Sequence, residues 1–124
     1  MARDTLQIVV SAGSKEGQKI LTLKGSLNIQ TIFDFQKATR EEGAPKLILD
    51  FSGVPYVDSA GLGALVGAYV AAQRTQRKLA VAGTNTQVKA LIDMTHVGTL
   101  IKSYANVQEA EEGWDRFGIL KLEK

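Results

Sequence analysis

The stretch that decides the fold begins Lys46-Leu47-Ile48-Leu49-Asp50-Phe51, crosses Ser52 to Val57, and becomes Ser59 to about Arg74 before closing on Leu79-Ala80-Val81-Ala82. The first run is short and apolar without alternation, the pattern of a strand buried on both faces. Gly53 and Pro55 make the next residues a loop. A helical run and a second apolar strand follow. Strand, loop, helix, strand in this order is a parallel crossover unit, and it predicts an α/β domain.

Working outward, residues 5–11 alternate, with Leu6, Ile8 and Val10 on one face and Thr5, Gln7 and Ser11 on the other. Ser14 to Gln18 is a polar turn containing Gly17, and 19–24 read as a second strand with Leu21 and Leu23 on one face. Two strands joined this way form a hairpin, which Gly25 ends. Asn28 is expected to cap a helix with Ile29, Ile32, Phe33 and Phe35 as its apolar positions. Glu41-Glu42-Gly43 ends that helix and Pro45 forbids its continuation.

Beyond the central unit, Asn85 caps a helix carrying Val88, Leu91 and Ile92, and 99–103 read as a last short strand. Asn106 with Glu109 starts a further helix, continued by Val107, Ala110, Trp114 and Phe117 at helical spacing. Residues 118–122 are either an edge strand or a frayed end. The expected fold is therefore α/β: a mixed sheet of about five strands, antiparallel in the opening hairpin and parallel after it, with about four helices.

Composition narrows the function. The chain has 124 residues, which fits a single domain over 1–124. Its 15 basic and 13 acidic side chains leave a net charge of +2, and Arg74-Thr75-Gln76-Arg77-Lys78 is the densest basic stretch. That excludes a direct nucleic-acid grip, which needs clustered Lys and Arg. No uncharged apolar run approaches the roughly 20 residues of a membrane helix, so no membrane insertion is expected. Zero cysteine removes disulfides, thiol catalysis and thiolate metal sites, and fits a reducing cytoplasm.

The unusual segment is Val57-Asp58-Ser59-Ala60-Gly61-Leu62-Gly63. It joins a buried strand and loop to a helix, so Ser59 falls at or next to the N-cap. Ordinary capping accounts for a serine there. The functional alternative is a hydroxyl presented where helix N–H groups and the dipole welcome an anion. A phosphate on Ser59 would bring about −1.5 to −2 charges without unfolding the helix, and Asp58 would add like charge at any docking surface. Further along, Gly63, Gly67 and Ala71 lie at i, i+4, i+8 beside Ala60, Ala64 and Ala68. Close packing accounts for this stripe, and a shallow face for a partner is its alternative. Leu62, Leu65, Val66 and Tyr69 read as core.

The pattern Leu47-Ile48-Leu49-Asp50, loop, Asp58-Ser59-Ala60-Gly61-Leu62-Gly63 resembles the STAS domain of anti-sigma-factor antagonists. Ala90 to Thr95 and Gly25-Ser26-Leu27-Asn28 add to it, and the order of elements agrees from about residue 5 to 117, leaving 118–124 as a C-terminal extension. The resemblance implies a non-enzymatic, cytoplasmic binding protein without a cofactor. Its partner would be an anti-sigma factor that is itself a serine kinase, phosphorylating Ser59, with a PP2C-type phosphatase reversing the modification. Asp58, Ser59, Ala60, Gly61 and Asn28 are the partner-binding residues it implies. Asn28 departs from the family, which often has an acidic residue in the loop before the first helix. Some members act instead as constitutive scaffolds or lipid-transport-complex subunits, which is the alternative reading. Small-ligand binding at the same helix end ranks third.

Enzymatic readings lack their parts. A nucleophile elbow needs glycine two residues before the serine, where this chain has Val57. His96 is the lone histidine and stands far from Ser59 in the chain. A phosphoacceptor role for Asp50 needs carboxylates near the end of the first strand to hold Mg²⁺, and only Glu16 is nearby. Asp50 reads better as a loop-capping residue. No Gly-rich lysine loop for nucleotide phosphates is present.

Overall fold

The strands lie across the sheet in the order they occur in the chain, β1-β2-β3-β4-β5. β1 (Gln7–Ala12) and β2 (Gln18–Lys24) form the hairpin; α1 (Ile32–Glu41) leads into β3 (Lys46–Gly53), α2 (Ser59–Arg74) into β4 (Lys78–Ala82), and α3 (Thr86–Asp93) into β5 (Lys102–Tyr104). A further helix, α4, covers 107–113. The structure is a computed structural model and describes residues 4–94 and 101–113. β1 pairs antiparallel with β2, and the other three pairings are parallel. This is the expected mixed sheet of five strands with four helices.

Two apolar layers explain the composition of β3 and β4. Leu47, Leu49 and Phe51 of β3 and Leu79 and Val81 of β4 join Phe35 of α1, Leu65 of α2, and Val88 and Ile92 of α3 in the main core. Ile48, Ala80 and Ala82 face the other way, against Ala110 of α4. Both strands are thus covered on both sides, so their sequences run apolar without alternation. The alanines of β4 leave room for α4 to approach.

Because α1, α2 and α3 pack on one face and each connects neighbouring parallel strands, the three helices lie side by side in chain order and run the same way. Their N-terminal ends gather at the C-terminal edge of the parallel strands, where open α/β sheets present their loops. Ser59 stands at that edge, flanked by α1 on one side and α3 on the other.

Two local expectations need correction. On the face that Leu6, Ile8 and Val10 share, Leu6 and Ile8 pack against the main core while Val10 is 47% exposed on the edge strand β1. Asn28 does not cap α1: the N-cap is Thr31, which makes no side-chain capping bond. Ile29 and Phe33 accordingly leave the core, at 68% and 78% exposure, while Phe35 is fully buried. The last strand begins at Lys102, later than the expected 99–103. His96, Trp114, Phe117 and residues 118–122 lie outside the described residues.

Two other local readings match. Asn85 caps α3 by accepting from Val88 N at 2.7 Å, and Asn106 Oδ1 accepts from Glu109 N at 2.9 Å. Asp50 departs from its expected loop-capping role: β3 runs on to Gly53, and Asp50 Oδ1 accepts from Ser52 N at 3.0 Å within that strand.

Candidate functional site

The residue before the serine organises the site. Asp58 is the N-cap of α2, and its Oδ1 accepts from Gly61 N at 2.8 Å. Its Oδ2 accepts from Ile29 N at 3.1 Å, tying the turn before α1 to the start of α2. Ser59 is therefore the first helical residue, beyond the N-cap. Its side chain is exposed, and its hydroxyl makes no hydrogen bond among the described residues. The capping account of this serine fails, since an aspartate already performs that task.

A backbone seam fixes the two loops against each other. Leu27 N donates to Tyr56 O at 3.0 Å, Asp58 N donates to Leu27 O at 3.2 Å, and Leu27 and Val57 form a parallel bridge. Gly61 is what lets α2 press on this seam. A Cβ there would stand 2.1 Å from Leu27 O, well inside contact distance. The glycine is required by close approach, and it is buried.

Asn28 lies in the same seam, buried at 9% exposure. Its Nδ2 donates to Asp4 Oδ2 at 2.6 Å, and its Oδ1 accepts from Gln30 N at 2.9 Å. The side chain holds the turn before α1 in shape. Thr31 adds a second tie, its hydroxyl donating to Ser26 O at 2.8 Å.

On the α3 side of Ser59 is an open hollow of about 410 Å³. Tyr56, Val57, Leu62, Val88 and Leu91 give it apolar walls, and Asp58, Ser59 and Gln87 line its polar part. Asn85 Nδ2 donates to Pro55 O at 3.1 Å and so links α3 to the loop before Ser59. Of the five residues singled out in the sequence, Asp58, Ser59, Asn28 and Gly61 come together here, with Ala60 between Ser59 and Gly61. Tyr56 and Leu91 were missed as site residues, because an isolated aromatic in a loop and a partly buried leucine carry no chemical signature.

The glycines of α2 divide in an unexpected way. A Cβ at Gly63 or Gly67 would meet nothing within 4 Å, so close packing does not explain them. They lie on the open side of the helix, while Ala64, Leu65 and Ala72 are buried.

The profile of the STAS domain matches residues 10–110. The chain belongs to the STAS domain family. A relative from Staphylococcus epidermidis named anti-sigma-B factor antagonist is 28% identical over 91 residues, covering 71% of this chain and 81% of that protein. The crystal structure of an anti-sigma factor antagonist from Mycobacterium paratuberculosis superposes with a TM-score of 0.75 at 18% identity, covering 87% of this chain and 92% of the other. SpoIIAA, an anti-sigma factor antagonist solved in its unphosphorylated form, superposes with a TM-score of 0.64 at 13% identity, covering 90% of this chain and 97% of its own. These structures share this STAS chain's fold. Among its described residues no cluster of three or more His, Asp or Glu could hold a metal ion, and no helix is long and apolar enough to cross a membrane.

Proposed function

We propose that this STAS domain is an anti-sigma factor antagonist in a partner-switching pathway. Unphosphorylated, it binds an anti-sigma factor kinase at the Ser59 end; phosphorylated on Ser59 Oγ, it releases that kinase, and a PP2C-type phosphatase resets it. The observation that carries this reading is an exposed serine hydroxyl at the first position of α2, left free of capping duty by Asp58. The relative named anti-sigma-B factor antagonist supports the partner class, and SpoIIAA, known in both an unphosphorylated and a phosphorylated form, supports the modification.

The chemistry divides between the two proteins. Ser59 Oγ attacks the γ-phosphorus of ATP held by the kinase, the bond from that phosphorus to the bridging oxygen breaks, and ADP leaves. The hydroxyl proton passes to a base of the kinase, while Asp58 holds the turn by accepting the Ile29 and Gly61 N–H groups. Within this domain the contribution is presentation: a hydrogen-bonded seam and an exposed nucleophile with no competing bond among the described residues. A phosphoserine would then face the nucleotide phosphates of any partner that docks again, and like charge expels it.

Incubation with the cognate kinase and ATP, followed by intact-mass measurement, tests the assignment. Wild type gains one phosphate and Ser59→Ala gains none. Gain by both variants, or by neither, removes Ser59 from the mechanism.

A further inference from the structure

Ile29 and Phe33 pose a problem that the serine does not solve. Their spacing offers both to the core, yet they are 68% and 78% exposed. They are also adjacent. Ile32 N donates to Asn28 O at 2.9 Å, so the turn holding Ile29 already follows a helical path into α1, and Phe33 stands one turn further on the same face. Contiguous apolar exposure of this kind marks an interaction surface.

The pair is held rigidly beside the serine. Ile29 N donates to Asp58 Oδ2, Asn28 is tied to Asp4, and Thr31 is tied to Ser26. Preorganisation of this sort lowers the entropic cost of binding. At these exposures the side chains project from the surface, so the recess that receives them must lie in the partner.

We infer that Ile29 and Phe33 are the apolar anchor by which α1 engages the anti-sigma factor kinase while Ser59 lies under its nucleotide. This rests on the function proposed above. Phosphoryl transfer needs the γ-phosphorus within about 3–3.5 Å of Ser59 Oγ, which forces the kinase to close over this end of the domain. Even a small specific interface of roughly 600 Å² per partner extends about 14 Å from its centre. Ile29, whose amide bonds the residue before Ser59, falls within that footprint. Phenylalanine is among the residues enriched in the buried core of protein interfaces, and Ile29 beside it enlarges the apolar area that a partner would cover.

The test uses the full chain carrying Phe33→Ser, Ile29→Ser or both, with the purified kinase that phosphorylates Ser59 as the probe. Calorimetry is expected to show at least tenfold weaker binding for Phe33→Ser and a further loss for the double variant, with Phe33→Leu close to wild type and all melting temperatures unchanged. If wild type binds and Ser59→Asp releases, while the double variant binds within twofold of wild type, the anchor is refuted and the function stands. If the wild-type chain dimerises and Phe33→Ser abolishes only dimerisation, the surface belongs to a second copy and the inference falls. If wild type binds no such kinase, the function and the anchor fall together.

Discussion

Replacing Gly61 with alanine probes whether the serine end is held as described. The new Cβ would stand 2.1 Å from Leu27 O, 2.8 Å from Leu27 C and 3.0 Å from Leu27 Cγ. Two of these three atoms are backbone, and their carbonyl already accepts from Asp58 N at 3.2 Å. Relief therefore requires moving the seam or the start of α2 by about an ångström. Overpacking of this kind costs about 1–3 kcal/mol. Loss of the Leu27–Asp58 bond adds about 1 kcal/mol. Alanine returns about 1 kcal/mol through helix propensity. The net expectation is a loss of roughly 1–3 kcal/mol. Gly67→Ala on the same helix is the control, since nothing lies within 4 Å of its Cβ. It should gain up to about 1 kcal/mol by propensity alone. Urea unfolding at constant m-value reads both variants, and for a chain of this size each kcal/mol moves the melting temperature by about 3–6 °C. Gly61→Ala as stable as wild type would refute the close approach of α2 to Leu27.

Asp58→Ala strips the cap from Gly61 N and the acceptor from Ile29 N, and should cost about 1–2 kcal/mol in urea unfolding. Asp58→Asn should recover only the part due to one of the two bonds, because its amide has a single acceptor oxygen for the Gly61 and Ile29 N–H groups. Ser59→Ala should stay within about 0.5 kcal/mol of wild type, since its hydroxyl makes no cap; a larger drop would restore the capping account. Ser59→Asp should melt within a few degrees of wild type, because an acid in the first turn favours the helix by about 0.3–1 kcal/mol. Its expected loss of kinase binding then reports the surface and not the fold.

How much of this was legible in the sequence follows from how local each determinant is. β3 and β4 announced themselves because burial on two faces leaves an uninterrupted apolar run, and Asn85 announced α3 because capping is read within four residues. The α1 error has a geometric source. At about 100° per residue, positions 32, 35 and 39 fall within roughly 60° of one another, while 33 stands about 100° from 32 and 160° from 35. Phe33 therefore stands off the buried stripe, although its side chain is as apolar as those within it. The identity of the N-cap turned on a one-residue choice between Asp58 and Ser59, both good caps, and only the bonds to Gly61 and Ile29 decide it. Gly61 and Gly67 look alike in sequence, and a contact from Leu27, 34 positions away from Gly61, is what separates them.

A charge placed on Ser59 should act on the complex far more than on the fold, and the magnitudes say why. A dianion about 5 Å from Asp58 would raise the energy of the free domain by roughly 1–2 kcal/mol in water. The first turn of α2 offsets about 0.3–1 kcal/mol of that, so the folded state loses little. Against the phosphates of a docked nucleotide the same dianion meets several charges where water is excluded. With an effective dielectric near 20, each pair of unit charges at about 5 Å repels by about 3 kcal/mol. Several such pairs outweigh a typical interface of micromolar to nanomolar strength, worth about 8–12 kcal/mol. Salt should therefore weaken the discrimination between Ser59→Asp and wild type only partly, because charges buried in an interface are screened less than exposed ones. Titrating both variants against the kinase at about 0.05 and 0.5 M salt checks this. Complete loss of discrimination at the higher salt would place the repulsion at the solvent-exposed rim, away from Ser59.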